Sequence, residues 1–374
     1  MELGPHGVAR GVGARSPWCG ARAGDRHPVG GVAVTSVFEE EIRSQGRLLA
    51  SRDDAGRRAA DVATASWEDV THVVVAGRGS SDHAAVFFQY LAGRELGLLV
   101  ALATPSLYGG GRTIGLRGAG VLAISQSGRS PGLAEVVDQA NAQGRPTVVV
   151  TNAPDSPLAR ASRSVINLAV GVERAVASTK TFSATWQVAV HLVGSLRQRP
   201  LEAVELLAPS VDEVATWALA TTWPLSVLDA PRGITVIGRG VGYAVALEVA
   251  LKIREVAGVR AEAFSVADFL HGPLGAEGDG ATLIVVMTSD LAVELAAEVV
   301  EAARRTGMST VVLRAENSAS VGAHVDIELP VRGPDWQVGL AEVVAGQALA
   351  LRLGERRQRS IDSPPGLSKV TLTA

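Results

Sequence analysis

Cysteine is almost missing, since Cys19 is the single one among 374 residues. It has no partner for an internal disulfide and no companion thiols for a thiolate metal site. That scarcity points to a reducing compartment, the cytoplasm by default, and to chemistry without a metal or other cofactor. Long apolar runs are missing too. The longest, such as 281–288, are strand-sized and fall far short of the roughly 20 residues a membrane span needs, so a membrane partner is not expected. Neither sign of charge dominates: 35 basic residues face 38 acidic ones for a net charge of -3, and no Lys/Arg cluster is interleaved with aromatics. Nothing here tracks a phosphate backbone, and nucleic acid is not an expected partner.

What is present is apolar and small. Hydrophobic residues make up 47% of the chain but aromatics only 4%, the balance expected of Val-rich buried strands alternating with Ala/Leu-rich helices. The expected class is α/β, and the length suggests two cores, because single cores stop growing at about 250 to 300 residues.

Residues 1–33 are rich in Gly, Arg and Pro without apolar periodicity, and read as disordered or as an artefact of start-codon choice, with Val34-Thr35-Ser36 a plausible true start. An N-terminal helical segment, 34–66, holds a leading helix over Phe38 to Ala50, loaded with Glu39, Glu40 and Glu41 at its start. A first α/β domain, 67–200, then shows a strand at His72 to Ala76, a turn at Gly77-Arg78-Gly79-Ser80-Ser81 and a helix over Ala84 to Leu96. Further strands follow at Gly120 to Ser125, Pro146 to Thr151 and Ser164 to Ala169. After a helical connector, 201–228, a second domain, 229–356, repeats the plan. Gly233 to Ile237 leads into Gly238-Arg239-Gly240, with strands at Thr282 to Thr288, Ser309 to Arg314 and Asp326 to Pro330. The chain is therefore a tandem repeat of doubly wound parallel sheets covered on both faces, three layers each, followed by a tail, 357–374.

Among the motifs, Ser125-Gln126-Ser127-Gly128-Arg129-Ser130-Pro131 lies between a strand and a helix, where amide N–H groups, hydroxyls and a side-chain amide supply neutral donors for a phosphate dianion. The alternative is that Ser130 caps a helix whose first position is Pro131. Each G-x-G lacks the third glycine of a dinucleotide fingerprint, so a tight strand-to-helix turn where Ser80 and Ser81 meet a ligand fits better. Ser178 or Thr179, in Val176-Ala177-Ser178-Thr179-Lys180, reads more simply as an N-cap. Glu248, Lys252 and Glu255 fall at i, i+4 and i+7 on one helix face over 244–256, which on spacing alone suits a solvated face, and otherwise a carboxylate beside an ammonium able to move a proton. His271, in a His-Gly-Pro loop, is a candidate acid/base near neutral pH. Lys369, in the Pro-rich tail, gains meaning only if that tail folds back into a site.

Five motifs in order resemble the sugar isomerase (SIS) family: Gly79-Ser80-Ser81; Ser125-Gln126-Ser127-Gly128; Val176 to Lys180; Glu248 to Glu255 with His271-Gly272-Pro273; and Leu367-Ser368-Lys369-Val370-Thr371. The family includes the isomerase half of glucosamine-6-phosphate synthase and stand-alone glucosamine-6-phosphate deaminases, and the likeness covers about residues 34–374. It implies a flavodoxin-like fold in each repeat, a sugar phosphate as ligand, and a homodimer with shared sites. It implies that Ser80, Ser125, Gln126, Ser127 and Ser130 bind the sugar phosphate, while Val176 and Ser178 contact the sugar. It makes Glu255 the base between carbons 1 and 2 with Lys252 assisting, His271 the ring-opening acid/base reaching into the neighbouring subunit, and Lys369 the tail amine near the carbonyl carbon. Met287-Thr288-Ser289-Asp290 stands where the first repeat has its Ser-Gln-Ser-Gly loop, so one phosphate site per chain is expected.

Nothing upstream of Ser36 supplies the core of a glutaminase, and Cys19 is not its nucleophile, so amine loss is the expected direction. The expected reaction is conversion of glucosamine 6-phosphate to fructose 6-phosphate and ammonia through an open-chain enolamine. A deglycase acting on a 6-phosphorylated fructosyl-amine needs the same proton shuttle, and a non-catalytic sugar-phosphate sensor needs neither Glu255 nor Lys369.

Overall fold

Ser36 is extended, and its hydroxyl accepts the Glu39 amide at 3.2 Å, the cap that opens helix α1 (Val37–Thr64). A computed structural model describes residues 35–230, 232–289 and 291–369. The expectations for 1–33, for Asp290 and for Val370-Thr371 lie outside the described residues. Helix α1 runs well past Ala50. The apolar stripe breaks at Arg52, a buried side chain that keeps the inward face by donating to the Leu168 carbonyl and to Gln187. Inward polar residues of this kind hide a helix from hydropathy.

Two five-stranded parallel sheets follow. The first comprises β1 (His72–Ala76), β2 (Leu99–Leu102), β3 (Ala119–Ile124), β4 (Thr147–Thr151) and β5 (Ser164–Asn167), in the order β2-β1-β3-β4-β5. The second comprises β6 (Gly233–Gly238), β7 (Ala261–Ser265), β8 (Ala281–Met287), β9 (Ser309–Ala315) and β10 (Val325–Leu329), in the order β7-β6-β8-β9-β10. Both are the 2-1-3-4-5 order of flavodoxin-like folds, whose ligand crevice opens between strands one and three. Sequence patterning anticipated eight of these strands and missed β2 and β7. Both are edge strands in the same topological position, β2 short and largely exposed, β7 carrying Ala and Glu where β-branched residues are usual.

The helices are α2 (Ser80–Leu96), α3 (Leu133–Ala142), α4 (Pro157–Ala161), α5 (Lys180–Leu196), α6 (Leu207–Ala220), α7 (Leu225–Leu228), α8 (Val241–Lys252), α9 (Val266–Leu270), α10 (Val293–Arg305) and α11 (Asp335–Arg356). No helix among the described residues is long and apolar enough to cross a membrane.

The expected pair of separate cores is replaced by one shared inner core. It runs from Phe38 and Leu49 through Trp186 and Val249 to Leu349, and takes alternate residues of both sheets: Val73, Val75, Leu122 and Ile124 from one, Val236, Ile284 and Val286 from the other. The intervening residues, such as Val74 and Val121 or Leu283 and Val285, face outer clusters under α3 and α10. Period-two alternation thus places each sheet between an inner and an outer helical layer. Trp186 joins the halves: it stacks on Phe87 with ring centroids 3.4 Å apart and donates from Nε1 to the Trp336 carbonyl at 2.8 Å.

The repeat is visible in backbone angles. Gly79 has φ 57 and ψ -131, and Gly240 has φ 58 and ψ -127, in a region essentially closed to residues with a Cβ. Gly77 and Gly238 are required for a different reason. A Cβ at Gly77 would lie 2.7 Å from the Ser81 backbone, and one at Gly238 would lie 2.1 Å from the Gly242 carbonyl oxygen. The first glycine of each G-x-G lets the helix approach its strand, and the second supplies the turn. Gly79→Ala meets nothing within 4 Å, so its cost is backbone strain alone. We expect a loss of about 1–3 kcal/mol in chemical denaturation, without gross loss of secondary structure by circular dichroism.

Candidate active site

The loops leaving β1 and β3 border the switch point of the first sheet. The turn after β1 places Ser80 and Ser81 in the first turn of α2. In the β3 loop, the Gly128 amide donates to the Ser125 hydroxyl at 3.1 Å, and the Ser125 and Ser130 hydroxyls lie 2.9 Å apart. Gly128 has φ 61, and a Cβ there would collide with the Ser156 side chain. The alternative reading, a helix with Pro131 at its first position, does not hold, because α3 starts at Leu133. Gly132, at φ 81, turns the chain before α3, so Ser130 faces the crevice instead of capping a helix.

Here a cavity of about 360 Å³ opens, within the range of roughly 300–1,000 Å³ usual for small-molecule sites. Ser80, Ser81, Gln126, Ser127 and Ser130 line it together with Val176, Ser178, Glu255 and Lys369. Nine of the twelve residues singled out from sequence therefore share one cavity. Ser125 is buried behind its loop, and Lys252 lies fully buried behind Glu255. His271 is exposed at the end of α9 and does not line the cavity of its own chain. Ser178 is no cap, since its hydroxyl pairs with that of Thr181 at 2.8 Å.

Helix α8 ends in one π turn over Ile253–Ala257. Lys252 sits at the junction, with Nζ 2.5 Å from a Glu255 oxygen and 3.4 Å from Glu248. The face is not solvated. Glu248 and Lys252 are wholly buried, and Glu248 also accepts the Ser80 hydroxyl at 2.9 Å and His83 Nδ1 at 2.7 Å. Burial pushes the Glu248 carboxyl up, but Lys252, His83 and Ser80 together hold it below the ordinary carboxylate range. Burial likewise pushes Lys252 down, and Glu248 and Glu255 more than offset it, so the ammonium is held above its usual value.

Sequence reasoning missed four polar contributors. Glu173 is buried on the cavity wall, where burial is outweighed by Lys369, the Thr181 hydroxyl and the Thr179 amide, and its carboxyl is held low. Arg78 sits at the rim, its guanidinium over Gly132. Ser368 brings the tail in beside Lys369, and His83 steadies Glu248 from three residues beyond Ser80. His83 was legible as an i+3 neighbour of Ser80. Glu173, next to Arg174 between short apolar runs, carried no local signal.

The second repeat fills its own crevice. The Asp335 carboxylate accepts the Ser289 amide at 2.7 Å and pairs with Arg94, and Glu342 accepts the Met287 amide at 3.2 Å. Burial pushes the Glu342 carboxyl well above its usual range. Carboxyl groups thus occupy the edge where the first repeat presents hydroxyls.

The family model of the SIS domain matches residues 68–193 and 228–352. A glutamine–fructose-6-phosphate aminotransferase (isomerizing) of Halobacterium salinarum is 29% identical over 325 residues, 83% of this chain and 53% of that protein. Its Mycobacterium tuberculosis H37Rv counterpart is 31% identical over 273 residues, 67% of this chain and 42% of that protein. The chain spans about half the length of these curated relatives. Among solved structures, a Silicibacter pomeroyi protein described as a phosphosugar isomerase is 28% identical with a TM-score of 0.76, covering 88% of this chain and 99% of that one. A glucosamine-6-phosphate deaminase of Thermotoga maritima shares the fold at 20% identity and a TM-score of 0.72, covering 90% of this chain and 100% of that one.

The buried charges set a pH window. Glu173 and Glu248, depressed below 4.5, contribute stability that is full above that value and is lost as pH falls through their folded pKa values. Lys252, raised above 10.5, contributes stability that is full below that value and is lost as pH rises through its folded pKa. Denaturation midpoints should therefore fall at both extremes. Lys252→Met, which strands Glu248 in the interior, should cost about 3–5 kcal/mol at pH 7 and flatten the alkaline limb.

Proposed function

Because the chain belongs to the SIS domain family through both of its halves, we propose that its cavity holds an amino-sugar phosphate, converting glucosamine 6-phosphate and water to fructose 6-phosphate and ammonia. The observation that carries this reading is the opening of Glu255, from the second repeat, onto the same cavity as the hydroxyl loop of the first. A phosphate at Ser127, Ser130, Gln126 and Ser80 fixes one end of an open chain, with Ser81 beside it and Ser125 bracing Ser130 from behind. Val176 and Ser178 border the sugar, and Glu255 faces its other end.

Glu255 then removes the proton from carbon 2 and returns it to carbon 1 through the enolamine. Lys252, paired with it at 2.5 Å, keeps the carboxylate aimed. Water adds at carbon 2 of the resulting imine, the carbon–nitrogen bond breaks, and ammonia leaves; water so outnumbers free ammonia that this direction is favoured. Lys369 stands near the carbonyl carbon. His271 supplies the ring-opening acid/base to a neighbouring subunit, which makes the working unit a homodimer. The repeats at 67–200 and 229–356 divide the labour, with the tail, described over 357–369, lying over the site and the cytoplasm as the compartment.

Ammonia release from glucosamine 6-phosphate tests the reaction. Its absence, or faster turnover of a 6-phosphorylated fructosyl-amine, would reassign the substrate. Glu255→Gln should lower kcat by about two to four orders of magnitude, and binding of the sugar phosphate without any such loss would indicate a sensor. Mixing inactive Glu255→Gln and His271→Asn chains should restore activity that neither has alone. No restoration would remove His271 from the neighbouring site.

A further inference from the structure

The C-terminal tail reaches the cavity across two anchors, and both are carboxylates at helix N-termini. Asp362 is the first. Its oxygens accept the Val37 and Phe38 amides at 3.0 and 2.8 Å, at the start of α1, and its carbonyl accepts the Val176 amide at 3.0 Å. Glu173 is the second. One oxygen accepts the Thr179 and Thr181 amides at 2.9 and 3.1 Å, at the start of α5, and the other accepts the Thr181 hydroxyl at 2.7 Å and Lys369 Nζ at 2.6 Å. Thr179 occupies the N-cap position of α5 without a side-chain cap bond, so the donors of that first turn are satisfied by a remote carboxylate. Between the anchors lies the Val176–Ser178 wall, and Lys369 Nζ also reaches the Val176 carbonyl at 3.5 Å.

We infer that Glu173 is a positioning residue that fixes the Lys369 ammonium in the cavity and so holds the tail over the site. A cap alone needs no lysine. The amides and hydroxyls of Thr179 and Thr181, four donors at the start of α5, already engage both Glu173 oxygens, yet the carboxylate also takes the Lys369 ammonium, at the shortest of its distances. Without that ion pair, the contact left to the amine is the longer one to the Val176 carbonyl, at 3.5 Å. Held, it stands at the high effective concentration that a tethered reactive group provides. The consequence for turnover rests on the reading of the cavity as the reacting site; the fixing of Lys369 does not.

Glu173→Gln keeps acceptor oxygen for the helix amides but loses the charge. We expect kcat with glucosamine 6-phosphate to fall about tenfold to a hundredfold, with KM nearly unchanged, because phosphate contacts are untouched. In a Lys369→Ala background the same change should cost nothing further, and independent, multiplying losses would overturn the proposal. A second measurement needs no turnover: brief acetic anhydride labelling read by mass spectrometry. Labelling of Lys369 should rise in Glu173→Gln relative to the other lysines, and labelling equal to wild type would overturn the proposal. Increased labelling in a chain that releases no ammonia would uphold the positioning role and fail the reaction reading instead. Should Glu173→Gln not fold, Glu173→Asp, which retracts the carboxylate by one methylene, serves both measurements.

Discussion

A lysine ammonium buried without exposure to water is costly, and Lys252 is tolerated only because two carboxylates flank it. Glu248, beneath it, is itself held by Ser80 and His83 from the other repeat; Glu255, above it, opens on the cavity. This chain of contacts joins α2 to α8 and aims the cavity carboxylate from behind. The single π turn after Lys252 matters here, because such turns reorient side chains at the end of a helix and recur at functional sites. Charge balance therefore serves as the clamp between the repeats on the site side, as Trp186 does in the core.

The repeats share strand order, the paired glycines and even their φ and ψ values, yet the loop after the third strand of the first repeat lines a cavity with hydroxyls and its described counterpart in the second does not. The difference is local. Where the first repeat leaves hydroxyls and amides open to a ligand, the second engages its amides with Asp335 and Glu342 from α11. Hydroxyls and a side-chain amide face one crevice, and the chain's own carboxyl groups face the other. The second repeat instead places Glu255 in the wall of the cavity that the first repeat opens.

The tail follows the same logic of satisfied helix ends. Asp362 and Glu173 each occupy an N-terminus, where the macrodipole favours negative charge, and the segment between them is drawn along the cavity wall. Two helices that form the inner layer thereby also define where a terminal amine can stand.

Eight strands, both G-x-G turns and the Ser-Gln-Ser-Gly loop were legible because periodicity and glycine placement are local properties of the chain. So were most of the residues now gathered in the cavity, through motifs that each lie within a few positions. Edge strands β2 and β7, the full reach of α1 past Arg52, and the single shared core were not, since each depends on which element packs against which. Glu173, the burial of Lys252 and the docking of Lys369 are further cases. Spacing alone reads Glu248-Lys252-Glu255 as a solvated face, and only the approach of α2 with Ser80 and His83 turns it inward. The sequence by itself determined the alternation of elements, the repeat and the list of polar groups able to meet a phosphate. The tertiary structure decided which of those groups face one another, because the contacts that bring them together, Ser80 and His83 with Glu248 and Lys369 with Glu173, join residues more than a hundred positions apart.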